Sequence, residues 1–294
     1  MSSLLTYTIN GALTGLLYAL IAMSFVIIYR SARVFNFAQG ELIVVGAFLI
    51  WTYMALLDLD WWVAIPIALV SSLVLGLVVE RLILRPLVGE ELFSFVMVTI
   101  GLLILLRGLV LVVWGPEVRF FPAILPVAAV RLGSIVIDQA LLYGGLLTIL
   151  LAGLTSWFFN RTQVGLEMSA VAEDHQTALS LGISVKRSIA IAWGISAMLS
   201  TLAAIIFLNG KGMTFLASDI GFAALPVALL AGLESIGGVV LGGLIVGIVS
   251  GLAAYFLDPL FDGGVASVFP FLIMVLILLI RPTGLFGWKT IERI

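Results

Sequence analysis

The stretch Asn36-Phe-Ala-Gln-Gly-Glu41 lies between two apolar runs, each long enough to cross a membrane. It places two amides, a carboxylate and a glycine where a membrane helix would otherwise be uniformly apolar. Polar groups persist in lipid when they line a pathway enclosed by protein or pack on neighbouring helices. We therefore predict that Asn36, Gln39 and Glu41 border a translocation path near the start of the second span. Hydrogen bonding to neighbouring helices is the alternative.

The composition is that of an integral membrane protein. Of the 294 residues, 63% are hydrophobic and 10% are charged, whereas charged residues make up about 25% of an ordinary globular protein. The chain contains no cysteine, which excludes disulfides and cysteine-ligated metals. Residues 4–29 have no basic residue before them and no small-residue cleavage pattern after them, so we predict a retained span and not a signal peptide.

Apolar segments of membrane-spanning length recur along the chain. A helix needs roughly 20 apolar residues to cross the hydrocarbon core, and six segments meet this length: residues 5–29, 37–57, 62–84, 92–113, 136–158 and 188–208. Three further segments are shorter or interrupted by glycine and proline, as in the discontinuous helices of transporters: residues 222–233, 236–257 and 265–280. The predicted fold is an all-α polytopic membrane bundle of about 8–9 spans with interrupted helices, forming one domain over residues 1–294.

Lysine and arginine predict the orientation, because cytoplasmic loops carry an excess of them. With the N-terminus outside and nine crossings, ten of the fourteen basic residues fall inside: Arg30, Arg33, Arg81, Arg85, Arg161, Lys186, Arg187, Arg281, Lys289 and Arg293. Arg119, Arg131 and Lys211 fall outside. The short run 222–233 is predicted to cross, because a run that turned back would place the basic C-terminal tail outside.

The longest inner connection, residues 160–187, combines charge with an amphipathic pattern. Residues 172–183 predict a short helix that presents Ala178, Leu179 and Leu181 for packing and ends at Gly182, since glycine commonly terminates a helix. Such a helix suits docking to another protein. A helix lying on the lipid surface is the alternative, because it shows the same pattern.

The sequence lacks motifs for catalysis and nucleotide binding. His175 is the only histidine, so histidine-based metal motifs and serine–histidine–aspartate relays have no candidate in the spans. No Gly-x-x-x-x-Gly-Lys-[Ser/Thr] motif occurs, and Gly210-Lys211-Gly212 lacks the upstream glycine and the hydroxyl. We predict a protein that is not an enzyme, so that any ATP is hydrolysed by another subunit.

Arg107 stands inside the otherwise apolar fourth span. An arginine in the hydrocarbon core costs at least about 2.5 kcal/mol on insertion scales, so it should face a cavity or a partner. Its position near the outer end also allows the side chain to extend to the interface. If it borders the path, it would attract a carboxylate.

Glycines recur at four-residue spacing in two of the spans. Gly243, Gly247 and Gly251 form a ridge that permits close helix packing, and Gly11 and Gly15 form a similar step. Such ridges let helix backbones approach in membranes. We predict packing within the chain, with an interface to a second subunit as the alternative.

Four motifs carry a resemblance to a known family. In chain order they are Asn36-Phe-Ala-Gln-Gly-Glu41, Glu80-Arg-Leu-Ile-Leu-Arg-Pro86, Ala172-Glu-Asp with Ala178 and Leu181-Gly-Ile183, and Arg281-Pro-Thr-Gly-Leu-Phe-Gly287. They resemble four parts of LivH-type permeases of bacterial ABC importers for branched-chain amino acids. The first two resemble that family's Asn-Phe-Ala-His-Gly-Glu and Glu-Arg-x-x-x-Arg-Pro motifs. The third resembles its inner coupling loop, and the fourth resembles its closing segment. The resemblance covers nearly the whole chain.

The resemblance implies an ABC importer permease in the bacterial inner membrane, working by alternating access. The implied partners are a LivM-like second permease, two cytoplasmic ATPases that bind ATP and Mg, and a periplasmic binding protein; no nucleic acid and no cofactor in this chain are expected. Residues 160–187 would be the cytoplasmic coupling segment. The residues expected at the ATPase are Glu173, Asp174, Ala178, Leu181 and Gly182.

Two positions depart from the family pattern. Gln39 replaces a frequent histidine and cannot titrate near neutral pH, so a proton-sensing role is not expected there. Glu234 replaces a small residue within Gly232-Leu-Glu-Ser-Ile-Gly-Gly238. It is expected at the inner rim, either in an inner gate or in solvated packing.

The resemblance leaves the solute open. Branched-chain or other neutral amino acids are expected first, and urea, short amides and aromatic acids are the alternatives. A stand-alone secondary transporter or channel is the other functional class. Residues 172–183 distinguish the two classes, because a stand-alone carrier has no need for a docking loop.

Overall fold

The computed structural model describes residues 2–261 and 264–287, most of which are helical. The α-helices are α1 Ser2–Ala32, α2 Gln39–Trp51, α3 Trp61–Val79, α4 Leu92–Trp114, α5 Gln139–Arg161, α6 Gln163–Glu173, α7 His175–Ser180, α8 Val185–Phe207, α9 Asp219–Ala223, α10 Leu225–Ala231, α11 Ile236–Phe256 and α12 Val265–Ile280. π-helical turns follow α2 and α3 over Thr52–Leu56 and Glu80–Leu84, and 3-10 turns cover Arg85–Leu87, Phe215–Ser218 and Asp258–Leu260. Lys289 and Arg293, predicted in the inner tail, lie outside the described residues.

The predicted all-α membrane bundle is confirmed. Seven of the described helices are long and apolar enough to cross a membrane, and the shorter apolar helices Phe215–Ala231 and Val265–Ile280 bring the count to the predicted range. The former begins at Phe215 and not at residue 222, because a 3-10 turn and α9 precede α10.

Two short antiparallel ribbons in the connections were not predicted. β1 Arg119–Phe120 pairs with β4 Gly212–Met213, and β2 Ala129–Leu132 pairs with β3 Ile135–Asp138. Strands of two to four residues are too short to show the alternating pattern by which a strand is recognised.

The helices pack into two compact units. Unit 1 comprises Met1–Val26, Val127–Ser156 and Ala223–Ile294, and unit 2 comprises Ile27–Pro126 and Trp157–Phe222. The chain passes from one unit to the other within α1, between Pro126 and Val127, within α5 and within α9. Both units are therefore built from segments that are distant in the sequence.

In unit 2, α8 packs against α3 through small residues spaced by four. The buried residues of this stripe on α3 are Ala64, Ala68, Ser72 and Gly76. A Cβ on Gly76 would lie 2.5 Å from the Trp193 carbonyl oxygen, and the Ser72 and Thr201 hydroxyls are hydrogen-bonded at 2.6 Å. Close backbone approach and hydrogen bonds between helices replace the hydrophobic effect as the packing force in lipid.

In unit 1, α11 packs against α1 through glycines. A Cβ on Gly11 would lie 2.5 Å from the Gly247 carbonyl oxygen, and one on Gly251 would lie 2.5 Å from the Tyr7 carbonyl oxygen. Gly15 approaches Gly243 and Gly247 in the same way. The ridge recognised in the sequence therefore faces another helix of the same chain.

The proline-rich connection after α4 is fastened to the end of α8. The Asn209 Oδ1 accepts hydrogen bonds from the backbone N–H groups of Ile124 and Leu125 at 2.8 and 2.9 Å, and its Nδ2 donates to the Leu125 carbonyl at 2.9 Å. The ribbon of β1 and β4 joins the same two parts of the chain. This agrees with the predicted orientation, which places Arg119 and Lys211 on one side.

The substitution Gly243→Ala tests the glycine packing. Its Cβ would lie 2.8 Å from the Ala19 Cβ and would also meet the Gly15 carbonyl oxygen, so overpacking should lower the free energy of unfolding by about 1–3 kcal/mol. Gly237→Ala on the same helix is the control, because nothing lies within 4 Å of its added Cβ. Thermal unfolding of both variants in detergent measures the difference; equal midpoints would contradict the close approach of α1 and α11.

Candidate functional site

The second span begins in the interior of unit 2. Asn36, Gln39 and Glu41 are all at most 1% exposed. The Asn36 Oδ1 accepts a hydrogen bond from the Ala38 N–H at 3.0 Å, and the Asn36 Nδ2 donates to the Gln39 Oε1 at 3.1 Å. This turn fixes the chain just before α2, where the first N–H groups of a helix have no partner within the helix.

Gln39 is held by the middle of α8. Its Nε2 donates to the Ser200 Oγ at 2.5 Å, and its Oε1 accepts from the Ser196 Oγ at 3.1 Å in addition to the Asn36 amide. The carbonyl oxygen therefore has both acceptor sites occupied. In this conformation Gln39 provides the helix-to-helix hydrogen bonding that the sequence left as the alternative to lining a path.

Glu41 and Arg107 form an ion pair that joins α2 to α4. The Glu41 Oε1 accepts from the Arg107 Nε at 2.9 Å and lies 2.8 Å from the Arg107 Nη2. The Arg107 Nη2 also donates to the Ser218 Oγ at 2.8 Å. The Arg107 side chain is 32% exposed and that of Glu41 is 1% exposed. One guanidinium thus connects α2, α4 and the turn that precedes α9.

This ion pair provides the partner that Arg107 requires. The partner is Glu41, which lies in the polar stretch 66 residues earlier. The guanidinium is directed at Glu41 and Ser218, and extension of the partly exposed side chain to the outer interface stays a prediction. Its charge is also balanced, which weakens the expectation of an isolated positive site for a carboxylate.

A close backbone contact lies beside the ion pair. A Cβ on Gly221 would lie 2.5 Å from the Gly40 Cα, and one on Gly40 would meet the Ser218 carbonyl oxygen. The segment containing Ser218 is interrupted, since a 3-10 turn, α9 and α10 follow one another with a break at Ala224. Non-helical backbone at membrane depth is tolerated where it is buried in protein or lines a cavity.

The Glu41 carboxylate retains one open acceptor. Within the described part of the chain its Oε2 is buried and has no hydrogen-bond partner. A buried carboxylate oxygen can accept a hydrogen bond from an N–H or O–H donor. The described part of the chain contains no group of three or more His, Cys, Asp or Glu residues that could hold a metal ion.

Two arginines fasten α6 to the end of α1. The Arg30 guanidinium lies 4.4 Å from the centre of the Phe159 ring and donates to the Ser169 Oγ at 3.1 Å. The Arg33 Nε donates to the Ala172 carbonyl at 2.9 Å, and its Nη2 lies 3.9 Å from the Glu173 carboxylate. Residues 160–187, which are predicted to be the coupling segment, are therefore bound directly to the chain that leads into α2.

The predicted helix over residues 172–183 is two helices. Asp174 separates α6 from α7 and accepts hydrogen bonds from the Gln176 and Thr177 N–H groups at 2.8 and 3.0 Å. An aspartate favours such an N-cap because its carboxylate satisfies the free N–H groups of the first turn. The prediction of one helix over residues 172–183 places Asp174 inside that helix, whereas Asp174 is the N-cap of α7.

Gly182 follows the end of α7 with φ +79°. The Gly182 N–H donates to the Leu179 carbonyl at 3.0 Å and the Ile183 N–H to the Ala178 carbonyl at 2.9 Å, as in a glycine-terminated helix. Leu179 and Leu181 are 60% and 74% exposed, whereas Ala178 is 1% exposed. The leucines are available for docking, but the expectation that Ala178 is presented there is wrong, because it packs inside the protein.

Glu234 lies between α10 and α11, in unit 1. Gly232, two residues earlier, has φ +84°, and a Cβ there would lie 2.5 Å from the Gly287 Cα. The Leu285 N–H donates to the Leu230 carbonyl at 2.7 Å. The connection that carries Glu234 therefore packs on the closing segment after α12, and two of the recognised motifs meet in space.

Ser196, Ser200 and Ser218 complete the polar clusters, and no motif in the sequence pointed to any of the three. Serine hydroxyls commonly bond to the carbonyl four residues earlier in membrane helices, so a single serine carries little signal. The available signal was the four-residue spacing of Ser196 and Ser200, which places them on one face of α8.

Known proteins are similar in sequence to this chain over nearly its whole length. The family described as "Branched-chain amino acid transport system / permease component" matches residues 7–278. The high-affinity branched-chain amino acid transport system permease protein BraD of Pseudomonas aeruginosa is 29% identical over 97% of this chain and 96% of the relative. The corresponding LivH protein of Escherichia coli (strain K12) is 28% identical with the same coverage.

More distant matches follow. A probable branched-chain amino acid transport permease protein LivH of Methanocaldococcus jannaschii is 25% identical over 95% of this chain and 91% of the relative. Among solved structures, PsaBC from Streptococcus pneumoniae in complex with Fab covers 92% of this chain and 89% of that chain at a TM-score of 0.43 and 15% identity. That structural likeness is too weak to indicate a shared fold.

A double-mutant cycle on Glu41 and Arg107 tests the ion pair. Arg107→Gln leaves the Glu41 carboxylate buried without a counter-charge and should lower the free energy of unfolding by about 3 kcal/mol or more. Glu41→Gln should cost less, because the partly exposed guanidinium can reach water. The double variant should cost less than the sum of the two. Thermal unfolding measures all three.

The exposed pair of Glu117 and Arg119 provides the control for this cycle. These carboxylate and guanidinium atoms lie 3.3 Å apart, with side chains 75% and 36% exposed, and Glu117→Gln should cost less than about 1 kcal/mol. Additive effects of the Glu41 and Arg107 substitutions would contradict a stabilising pair.

Proposed function

Because this chain belongs to the family of permease components of branched-chain amino acid transport systems, we propose that it is the permease subunit of an ATP-driven importer for branched-chain or other neutral amino acids. It is a multi-pass protein of the inner membrane. In this proposal residues 1–294 act as one permease domain. A periplasmic binding protein delivers the solute, and partner ATPases drive alternating access.

The observation that carries the proposal is the connection between the coupling segment and the start of α2. Arg33 binds α6 through Ala172 and Glu173, and it stands six residues before Gln39 in the sequence. A displacement of α6 along the membrane normal therefore acts directly on the turn that holds Asn36. Arg33 has φ +54°, a conformation that residues with side chains persist in only when surrounding contacts hold them.

The exposed leucines give the coupling segment a docking surface. Leu179 and Leu181 belong to a short helix whose other side is anchored by the buried Ala178. We assign ATPase docking to Glu173, Asp174, Leu181 and Gly182, with Ala178 as the anchor on the permease side. A helix lying on lipid would explain the exposed leucines, but it would not explain the two arginine contacts that bind α6 to α1.

The polar clusters at the start of α2 are the proposed gate of the path. Asn36 and Gln39 hold α2 to α8, and Glu41 and Arg107 hold it to α4 and Ser218. Movement of α2 would exchange these partners and open the acceptor oxygen of Glu41 and the Arg107 guanidinium to the solute. Glu234, which packs beside the closing segment, is proposed at the inner rim.

The partners follow from what this chain lacks and from its family. Its sequence has no phosphate-binding loop, so ATP and Mg are assigned to two cytoplasmic ATPases. A LivM-like second permease would complete the membrane part, and no nucleic acid is expected.

The names of BraD and both LivH relatives favour branched-chain amino acids over urea, short amides or aromatic acids. A stand-alone carrier is disfavoured, because it has no use for α7.

Gly182→Val tests coupling. Nothing lies within 4 Å of an added Cβ and the residue has φ +79°, so the substitution strains only the backbone, by on the order of 1 kcal/mol. We expect the permease pair to assemble, and ATPase binding or hydrolysis stimulated by the loaded binding protein to fall several-fold. Purified complexes and proteoliposome uptake measure this.

Gly182→Asn is the matched control. Asparagine tolerates the left-handed conformation better than valine does, so it should retain most of the coupling. Full ATPase content with normal stimulated hydrolysis and uptake in the valine variant would refute the role of α7.

Uptake measurements test the solute. Proteoliposomes containing both permeases, the ATPases and the binding protein should accumulate leucine, isoleucine and valine when ATP is present inside, and excess urea or acetamide should not compete. Vesicles without the binding protein are the control. Transport of urea but not leucine would replace the proposed solute, and transport without the ATPases would refute the importer.

A further inference from the structure

Unit 1 contains a cavity of about 550 Å3 that the import mechanism proposed above does not use. It lies between the N-terminal half of α1, the C-terminal half of α11 and the start of α12, with Ala223 on one side. Small-molecule sites in proteins commonly have volumes of about 300–1,000 Å3. The cavity is therefore large enough to hold a ligand.

The cavity offers hydrogen-bonding groups but no charge. Its hydroxyl and amide side chains are Thr6, Tyr7, Asn10, Thr14, Tyr18, Ser250 and Ser267. The other described residues that line it are glycine, alanine and proline, so the lining contains no carboxylate, lysine, arginine or histidine. A carboxylate or ammonium group bound there would have no counter-charge, which is costly at membrane depth. The chemistry of the lining selects an uncharged molecule.

Ser250 supplies an unused hydrogen-bonding group. Its Oγ is buried and makes no hydrogen bond within the described part of the chain. Several other hydroxyls on the long helices bond to the carbonyl four residues earlier, as Thr8 does with Leu4 at 2.8 Å. Ser72 does the same with Ala68 at 2.8 Å. A buried hydroxyl without a partner is unfavourable. Ser250 lines the cavity, and a rotation about its χ1 angle would turn the hydroxyl towards a polar group of a bound molecule.

Glycine contacts leave this space open. Gly11, Gly247 and Gly251 line the cavity where α1 and α11 touch, and they have no side chains that could fill the adjoining space. Ala254 and Ala266 extend the same small-residue surface. The cavity thus combines an apolar wall with the hydroxyl of Ser250.

We propose that this cavity binds one uncharged amphiphile. A hydroxyl, ester or amide group of the ligand bonds to Ser250, and its apolar part lies against the glycine and alanine surface of α1 and α11. A neutral glyceride from the membrane and a small uncharged solute share this chemistry. The site goes beyond amino-acid import and depends only on residues of unit 1, so its failure would leave the proposed function untouched.

Single-cysteine labelling tests the site, since the natural chain has no cysteine. Ser250→Cys reports on the cavity, and Ser267→Cys reports on its exposed edge. Ser24→Cys is the buried control: the Ser24 side chain is 0% exposed, its Oγ also has no hydrogen-bond partner within the described part of the chain, and it does not line the cavity. Each variant, in the full importer in nanodiscs, is treated with neutral, anionic and cationic methanethiosulfonates. Leucine uptake measured in parallel shows that each assembly is intact.

The readout is the ratio of neutral to charged labelling rates. Burial slows thiolate formation for every reagent alike, so the ratio reports only on the charge that the cavity admits. At Ser250→Cys the ratio should exceed that at Ser267→Cys by about tenfold or more, and Ser24→Cys should stay unlabelled. Equal ratios at positions 250 and 267, or a Ser250→Cys as inert as Ser24→Cys, would overturn the proposal.

Protection of Ser250→Cys identifies the ligand. Slower labelling with monooleoylglycerol would assign a lipid, and slower labelling with N-acetyl-leucinamide would assign an uncharged solute. Leucine is the zwitterionic control and should give no protection. Protection by leucine, or by none of the three probes, would overturn the site.

Discussion

The ion pair of Glu41 and Arg107 is the interaction on which the interior of unit 2 depends. In lipid, an ionised side chain or a non-helical backbone segment is stable only when its partners lie inside the protein. Glu41 stands one turn into a helix that begins in the protein interior, and Arg107 stands within α4. Each charge makes the other tolerable, and the bond from Arg107 to Ser218 also fixes the interrupted segment before α9. Two irregular parts of the chain are thereby held by one guanidinium.

Small residues at four-residue spacing perform the packing in both units. In unit 2 the stripe lies on α3 and faces α8, and in unit 1 it lies on α11 and faces α1. Without a hydrophobic force between helices in lipid, close backbone contact supplies the dispersion energy that holds them together. Glycine contacts cannot be repacked by a side-chain movement, so the helices of each pair are expected to move as one body. Conformational change is then left to irregular segments, among them the Asn36 turn and the break at Ala224.

In the proposed function, the short distance along the chain between residues 160–187 and the polar clusters would connect ATPase docking with transport. Arg30 and Arg33 bind the coupling segment, and Asn36, Gln39 and Glu41 follow in the sequence. In the proposed function, a force applied at α7 would reach the Asn36 turn and the start of α2 through a few residues. The same arrangement explains why polar residues cluster in one stretch, since within it the chain must turn, bind α8 and supply a charge.

The sequence by itself determined the class of the protein, because mean hydropathy and span length leave a membrane bundle as the only way to bury this composition. It also identified the family through contiguous motifs, the glycine termination at Gly182, and Arg107 as a residue that requires a partner. Only the tertiary structure identified that partner as Glu41, added Ser196, Ser200 and Ser218 to the clusters, and divided the coupling helix at Asp174. The physical reason is range: hydropathy and helix caps are local properties of the chain, whereas the partner of a buried charge is chosen by the packing of helices that are distant in the sequence.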